Sequence, residues 1–430
     1  MHLSTVNEWI AWIESIHITE IELGLDRVKA VGASLGVLTP SCPVIIVGGT
    51  NGKGSTVAGL EAIYRAAGYR AGTFTSPFLF KLNEEVRIDG IIARDEEFCA
   101  AFAKIEAARG DISLTPFEFY TLAALLIFQT YPLEVLILEV GLGGRLDAVN
   151  IMDADVAVVT TISIDHVSYL GSTREQIAYE KAGIFRQGKP AICGDFIPPS
   201  TLTGYAATIV APFFCQGQNF HFEVNPQDWS WHCTISPNTS AADYEHLPFN
   251  TLVAQNMSTV LMAITLLQPR LPVPRDAIDK GLTAVNLPGR IQILAGPVTE
   301  IYDVSHNPAA VALLADRLAH LPCSGKTHAV FSMLADKDIA ESIKNISSQI
   351  DIWYTAPLTG KRAATTEQLQ QAFQQADVGN VKFFSSILEA YDQAASSAAQ
   401  GDRIIVFGSF HTVADVLDSV NPSSRGMSVR

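Results

Sequence analysis

Short apolar runs rich in β-branched residues alternate with helical stretches through the first 190 residues, which predicts a largely parallel α/β sheet. The clearest run is Pro43–Gly48, followed by a glycine-rich loop. A helix is expected over about 55–67, because Val57, Leu60, Ile63, Tyr64 and Ala67 share one face and Gly68 is placed to stop it. The stretch 116–130 is apolar on most sides, so it reads as a buried helix. Glu134–Val140 and Asp155–Ile162 are near-continuous apolar strands, the form expected when helices cover both faces of a sheet.

From about 190 to 250 the texture changes. Phe220–Val224 and Trp229–Ile235 alternate without an intervening helix, which predicts a small antiparallel appendage. Helical pattern returns over 251–268, and LPGRIQILAGP (287–297) reads as a hinge between domains. Strands at Glu300–Val304, His328–Met333, Asp351–Tyr354 and Arg403–Phe407 then mark a second, smaller Rossmann-like α/β domain. The expected division is 1–289 and 290–430, with a P-loop-type, mostly parallel sheet in the N-terminal domain. The first residues read as a helix opening after Ser4 or Thr5 and not as an export signal, since Asn7, Glu8 and Glu14 interrupt any apolar core.

Composition narrows the classes. The 430 residues hold 29 Lys+Arg against 44 Asp+Glu, a net charge of −15, which disfavours nucleic acid and anionic lipid as partners. No run of about 18 apolar residues occurs, so no membrane span is expected. Six scattered cysteines without a C-x-x-C pair argue against a disulfide frame or zinc cage and for a reducing cytoplasm.

The strongest local signal is Gly48-Gly-Thr-Asn-Gly-Lys-Gly-Ser55 between a strand and a helix. Such a loop aims backbone N–H groups and a helix N-terminus at one anion, Lys53 adds charge for outer phosphates, and Ser55 or Thr56 offers a hydroxyl to Mg²⁺. The strict P-loop pattern is not met, because Val47 replaces its first glycine and Gly54 separates Lys53 from Ser55. Glu139 ends a strand directly before GLGGRLD (141–147), where Leu146 occupies the third glycine position of a dinucleotide fingerprint and weakens it. His166 follows another buried strand, so Lys53/Ser55, Glu139 and His166 all emerge at one sheet edge, where open α/β sheets bind ligands. Lys181 reads either as a helix-surface lysine paired with Glu180 or as a lysine desolvated near a metal. Asp303, His306 and Arg290 cluster in sequence around a strand–helix junction, and fit either a nucleotide's ribose and phosphates or an Asn-Pro helix cap with incidental neighbours.

These motifs resemble the family of bacterial bifunctional dihydrofolate synthases/folylpolyglutamate synthases, within the Mur ligase superfamily. The likeness runs through IELGLDRV (21–28), GGTNGKGS, TSPFL (75–79), ISLTPFEF (112–119), EVGLGGRLDAVN (139–150), DHVSYLG (165–171), EKAGIFR, LPGR, DVSHNP, MLADKD and GSFHTV. The resemblance implies an ATP-dependent ligase that phosphorylates a pteroate or folate carboxylate and lets the amine of L-glutamate displace phosphate from the acyl phosphate. It implies that Thr50, Asn51, Gly52, Lys53, Gly54 and Ser55 hold ATP phosphates, that Ser76, Glu139 and His166 surround Mg²⁺, and that a monovalent cation is an optional second ion. Lys181 matches a carbamylated lysine, N6-carboxylysine; Asn256, Arg290 and Asp303 match ATP contacts, with His306 on the nucleotide side. Lys53, His166, Lys181 and His306 form the implied catalytic set. Ile21, Glu22, Leu23, Thr115, Pro116, Phe117, Glu118, Leu146, Asp147 and Ala148 line the implied pteroate pocket, with Phe117 offering a ring to stack on the pterin.

The likeness is loosest at Glu22, Pro116 and Ser305, which bears on fine specificity and not on the reaction. Splitting ATP contacts between two domains implies an open apo form that closes about residues 288–297. A Mur-type ligase of cell-wall UDP-sugar precursors is disfavoured by the stretches 21–28 and 112–119, and a non-catalytic nucleotide switch has no need of Glu139, His166 and Lys181 together. A cytoplasmic monomer using dihydropteroate, reduced folates, L-glutamate and ATP is the expectation.

Overall fold

The computed structural model describes residues 3–19, 21–234 and 242–420. Ile235, the last residue of the strand expected over Trp229–Ile235, lies outside them. The chain divides into two compact units, Leu287–Met427 forming the second and the chain up to Asn286 the first.

In the first unit eight strands make one sheet: β1 (Val44–Gly48), β2 (Ala71–Phe74), β3 (Val86–Ile88), β4 (Ile91–Ile92), β5 (Val135–Glu139), β6 (Val156–Val159), β7 (Ala191–Cys193) and β8 (Phe213–Cys215). Their spatial order is β4-β3-β2-β5-β1-β6-β7-β8, with β2–β3 and β3–β4 antiparallel and the other pairs parallel. All residues of β1 are buried, as its unbroken apolar run demands in a sheet covered on both faces. Register places Val47 beside Glu139 and Gly48 beside Val159, so the ends of β5, β1 and β6 lie side by side. The chain passes from β1 to one side of the sheet and returns from β5 to the other, the switch point at which ligands bind.

Helices follow local chemistry. Thr5 caps α1 (Val6–Ser15), accepting from the Glu8 amide while the Glu8 carboxylate accepts from the Thr5 amide. Then come α2 (Asp26–Leu35), α3 (Lys53–Ala66), α4 (Asp95–Arg109) and α5 (Pro116–Phe128). The last opens with Thr115 as cap, Pro116 at its first position and Glu118 closing a capping box, and it is buried over most of its length as expected. Next are α6 (Val167–Leu170) and α7 (Arg174–Ala182). The strand expected over Asp155–Ile162 stops at Val159, because Thr160 and Thr161 turn their hydroxyls to the glycine-rich loop.

The appendage is smaller than the 190–250 expected. β7 and β8 extend the main sheet with a helix (Ser200–Thr208) between them, and the antiparallel part is β9 (Phe220–Val224), β10 (Trp229–Cys233) and β11 (Ala242–Leu247). Strands of three residues carry too little pattern to reveal their parallel partners. Buried Trp231 fastens the appendage, its indole N–H donating to Ser258 Oγ at 2.9 Å on the helix Ala254–Leu267.

The second unit has its own six-stranded sheet: β12 (Gln292–Leu294), β13 (Thr299–Asp303), β14 (Thr327–Phe331), β15 (Ile352–Thr355), β16 (Val381–Phe383) and β17 (Arg403–Phe407), in the order β12-β13-β17-β14-β15-β16. All neighbours are parallel except β12–β13, so part of the stretch read as a hinge is an edge strand. Phe331, Trp353, Phe373 and Phe407 build an aromatic centre of tilted and edge-on rings. Among the described residues no helix is long and apolar enough to cross a membrane.

The helix α3, which begins at the glycine-rich loop, meets the helix Arg275–Ala284 backbone to backbone. A Cβ at Gly281 would lie 2.5 Å from Ile63 Cα and 2.8 Å from Ile63 N. Gly281→Ala is therefore expected to lower stability by about 1–3 kcal/mol, read as a lower urea midpoint.

Candidate active site

The glycine-rich loop is strapped to the segment that follows β6. The Thr160 hydroxyl donates to the Asn51 carbonyl at 2.6 Å and the Thr161 hydroxyl to the same carbonyl at 3.1 Å. The Thr50 amide donates to the Thr161 carbonyl at 2.7 Å, the Asn51 amide to Thr161 Oγ1 at 3.2 Å, and the Thr50 hydroxyl to the Ser163 carbonyl at 3.1 Å. Gly52 ends the loop at φ +87°, a conformation that favours glycine, and a Cβ there would lie 2.5 Å from Asn256 Oδ1. No side chain caps α3, so its first turn presents the N–H groups that suit an anion. Lys53 Nζ reaches the Thr50 carbonyl at 3.4 Å. Of the two candidate hydroxyls, that of Thr56 donates to the Gly52 carbonyl at 3.0 Å, which makes buried Ser55 the candidate for a metal.

Neighbouring strand ends supply the rest. The Ser76 amide, beyond β2, donates to Glu139 Oε2 at the end of β5 at 3.4 Å. His166 opens α6 at φ +51°, its amide held by Asp165 Oδ1 at 2.8 Å. Lys181 lies on α7 and is only 3% exposed. Burial, and then the charge of Lys53, push its amine down from 10.5 to about 7, against the opposing pull of Asp165 and Asp147. The surface pairing with Glu180 does not form: Glu180 binds Arg145 at 2.9 Å, and Arg145 lies over the Tyr179 ring. Buried Asp147 has its carboxyl pushed up to about 6 by desolvation, although the Leu142 and Val149 amides donate to it.

The three stretches read as a pteroate pocket come together. The Phe117 ring packs tilted against Phe74 at 5.8 Å between centroids, and a Cβ at Gly141 would strike the Phe117 ring at 2.6 Å. The Gly24 amide donates to the Leu146 carbonyl at 3.3 Å, joining the loop that holds Ile21, Glu22 and Leu23 to the stretch Leu146–Ala148. Glu118 is buried at the start of α5 beside Thr115 and Pro116, and Ala148 begins a short 3₁₀ turn. That turn, where a dinucleotide fold needs a long helix, removes the weak fingerprint reading of 141–147.

In the second unit the Asp303 carboxylate accepts from the Ile291 amide at 3.0 Å and from the Ser305 amide at 2.9 Å, so it organises the DVSHNP turn. Asn307 caps the helix Pro308–His320, with Pro308 at its first position. His306 Nδ1 donates to the Val304 carbonyl at 2.9 Å, which fixes the tautomer. Arg290 and His306 both lie against the Phe410 ring, at 6.0 Å each.

Two domain patterns match this chain: the Mur ligase middle domain over residues 47–193 and the Mur ligase, glutamate ligase domain over residues 289–410. The Escherichia coli (strain K12) dihydrofolate synthase/folylpolyglutamate synthase is 44% identical over 98% of this chain and 97% of its own length. The chain belongs to the dihydrofolate synthase/folylpolyglutamate synthase family of Mur ligases. The Haemophilus influenzae member is 39% identical over 96% of this chain and 97% of its own. The structure of E. coli FolC in complex with DHPP and ADP superimposes with a TM-score of 0.92 at 44% identity, covering 98% of this chain and 99% of that one. A bifunctional folylpolyglutamate synthase/dihydrofolate synthase with Mn, AMPPNP and L-glutamate bound gives 0.90 at 43% identity, with 97% and 98% covered.

Several residues around these groups carry no motif of their own. Thr160, Thr161 and Ser163 strap the loop, Asp165 faces Lys181 electrostatically, and buried Glu85 has its carboxyl raised by burial and by the nearby Glu139. The run Thr-Thr-Ile-Ser after a buried strand was the only visible hint of the strap.

Proposed function

We infer that the chain is an ATP-dependent ligase that adds L-glutamate to 7,8-dihydropteroate and further glutamates to reduced folates, through an acyl phosphate. The carrying observation is the convergence at one sheet edge of an uncapped helix start with Lys53, the Ser76–Glu139 pair and a buried Lys181. The loop Thr50–Ser55 would cradle the phosphates with backbone N–H groups, and Lys53 would balance charge as the terminal phosphoryl leaves. Asn256, whose side chain packs on Gly52, and Arg290, Asp303 and His306 of the second unit belong to the nucleotide in the same reading.

Ser76, whose backbone amide donates to Glu139, carries a hydroxyl and Glu139 a carboxylate, hard oxygen donors of the kind that fit Mg²⁺, an ion that takes few protein carboxylates and keeps phosphates and waters as ligands. Among the described residues no group of three His, Cys, Asp or Glu side chains forms a ready cage. Together with His166, which follows the neighbouring strand β6, these residues would hold the ion, which would supply charge neutralisation for phosphoryl transfer. Phe117 would stack on the pterin, between the stretches Ile21–Leu23 and Leu146–Ala148.

Lys181 deepens the reading. A carbamate forms from neutral amine and carbon dioxide, and with its value near 7 about half the amine is neutral at pH 7, against about one part in 3,000 at the ordinary 10.5. Carboxylation would turn an unfavourable cation beside Lys53 into an anion. A cytoplasmic monomer without nucleic-acid partners belongs to the same reading: the net charge of −15 disfavours polyanions, and the six cysteines are free thiols, which suits a reducing compartment.

ADP release from protein, ATP and Mg²⁺ is expected only when dihydropteroate and glutamate are both added; release indifferent to both removes the ligase reading. Lys53→Ala should lower kcat on the order of 100-fold or more with an unchanged thermal midpoint. At fixed dissolved ¹³C-labelled carbon dioxide, a carbamate signal in the NMR spectrum should grow as pH rises from about 6 to 8, since the amine loses its proton across that window. Its absence from wild type, or its persistence in Lys181→Met, refutes the carbamate.

A further inference from the structure

The pteroate pocket is assembled from three stretches more than twenty residues apart in the chain, so something must hold them in register. The Gly24–Leu146 backbone bond joins the first to the third. The first and second are joined by Arg27, at the second position of α2. Its Nη1 pairs with Glu22 Oε1, its Nη2 donates to the Glu22 carbonyl at 3.0 Å, and the same Nη2 lies 3.3 Å from Glu118 Oε1. Glu118 uses its other oxygen to accept the Thr115 amide at 2.7 Å, so one carboxylate bonds the helix cap and faces the guanidinium as an ion pair, Oε1 itself accepting no hydrogen bond. Glu22 in turn meets His17 Nε2 at 3.0 Å, and His17 Nδ1 lies 3.2 Å from Ser113 Oγ, which closes a polar chain from the loop back to the segment before α5.

The two carboxylates differ in weight. The Glu22 side chain is 49% exposed, so water would replace its ion pair at little cost. The Glu118 side chain is 4% exposed, and without Arg27 its charge would stand buried and unpaired. Left without that partner, the carboxylate has to shift toward water, which loosens the turn Thr115–Glu118 that aims the Phe117 ring.

We propose that Arg27 is the positioning residue of the pteroate pocket: by tying the Glu22 backbone to buried Glu118 it sets the affinity for the pterin-bearing substrate and takes no part in nucleotide binding. The inference rests on the pocket assignment made under the proposed function, and the experiment separates the two.

Steady-state kinetics of the full chain with dihydropteroate, ATP and glutamate provide the test. Arg27→Ala should raise KM for dihydropteroate about tenfold, with kcat and KM for ATP within about twofold. Arg27→Lys, which keeps charge but not the fork, should recover part of the loss. An unchanged KM for dihydropteroate, or an equal rise in the KM for ATP, overturns the proposal. If Arg27→Ala does not fold, Arg27→Lys carries the test: a smaller rise confined to dihydropteroate supports it, and no rise overturns it. Phe117→Ala guards the underlying assignment. A raised KM for dihydropteroate there with a silent Arg27→Ala defeats only the role of Arg27, whereas no change in Phe117→Ala defeats the pocket.

Discussion

The hydroxyls of Thr160 and Thr161 converge on one carbonyl, that of Asn51, and the rest of the site depends on that junction. A glycine-rich loop is pliable, and a pliable loop spends its binding energy on becoming ordered. Here the residues after β6 hold the loop by their own hydrogen bonds. It aims the start of α3 outward from the sheet edge, and it does so because β1 lies between β5 and β6 at the point where the chain changes direction across the sheet. Packing then protects the arrangement, since α3 is pressed against the helix Arg275–Ala284 with no room for a side chain at Gly281.

A protein with fifteen excess negative charges has to gather its cations where anionic substrates bind. In the proposed site the first unit does so with Lys53 and with a second lysine, Lys181, that the surrounding burial strips of much of its charge. Two ammonium groups so close repel each other, and the proposed carbamate resolves that repulsion while providing an anion for a metal. The Arg145–Glu180 pair takes the carboxylate nearest in sequence to Lys181, so the lysine is left to face Asp165 and Asp147.

The glycine-rich loop, the carboxyl-edge positions of Glu139 and His166, and the Asn307–Pro308 helix start were legible in sequence because each is a local signal: a strand, a turn residue, a cap. The two-unit α/β plan was legible from periodicity for the same reason. What escaped depends on partners remote in sequence. Thr160 finds Asn51 over a hundred residues away, Glu180 finds Arg145 instead of its neighbour, and β7 and β8 join the main sheet through three-residue strands whose pattern is too short to read. Arg27 belonged to a motif stretch, yet its link to Glu118 exists only once α2 and α5 have packed.

The most direct measurement of the strap is calorimetric titration of Mg²⁺–ADP into Thr160→Val beside the wild type. Removing the hydroxyl leaves the buried turn short of a hydrogen bond and frees the loop, so ADP affinity is expected to fall about tenfold while dihydropteroate affinity holds. An unchanged ADP affinity in the folded variant would contradict the account.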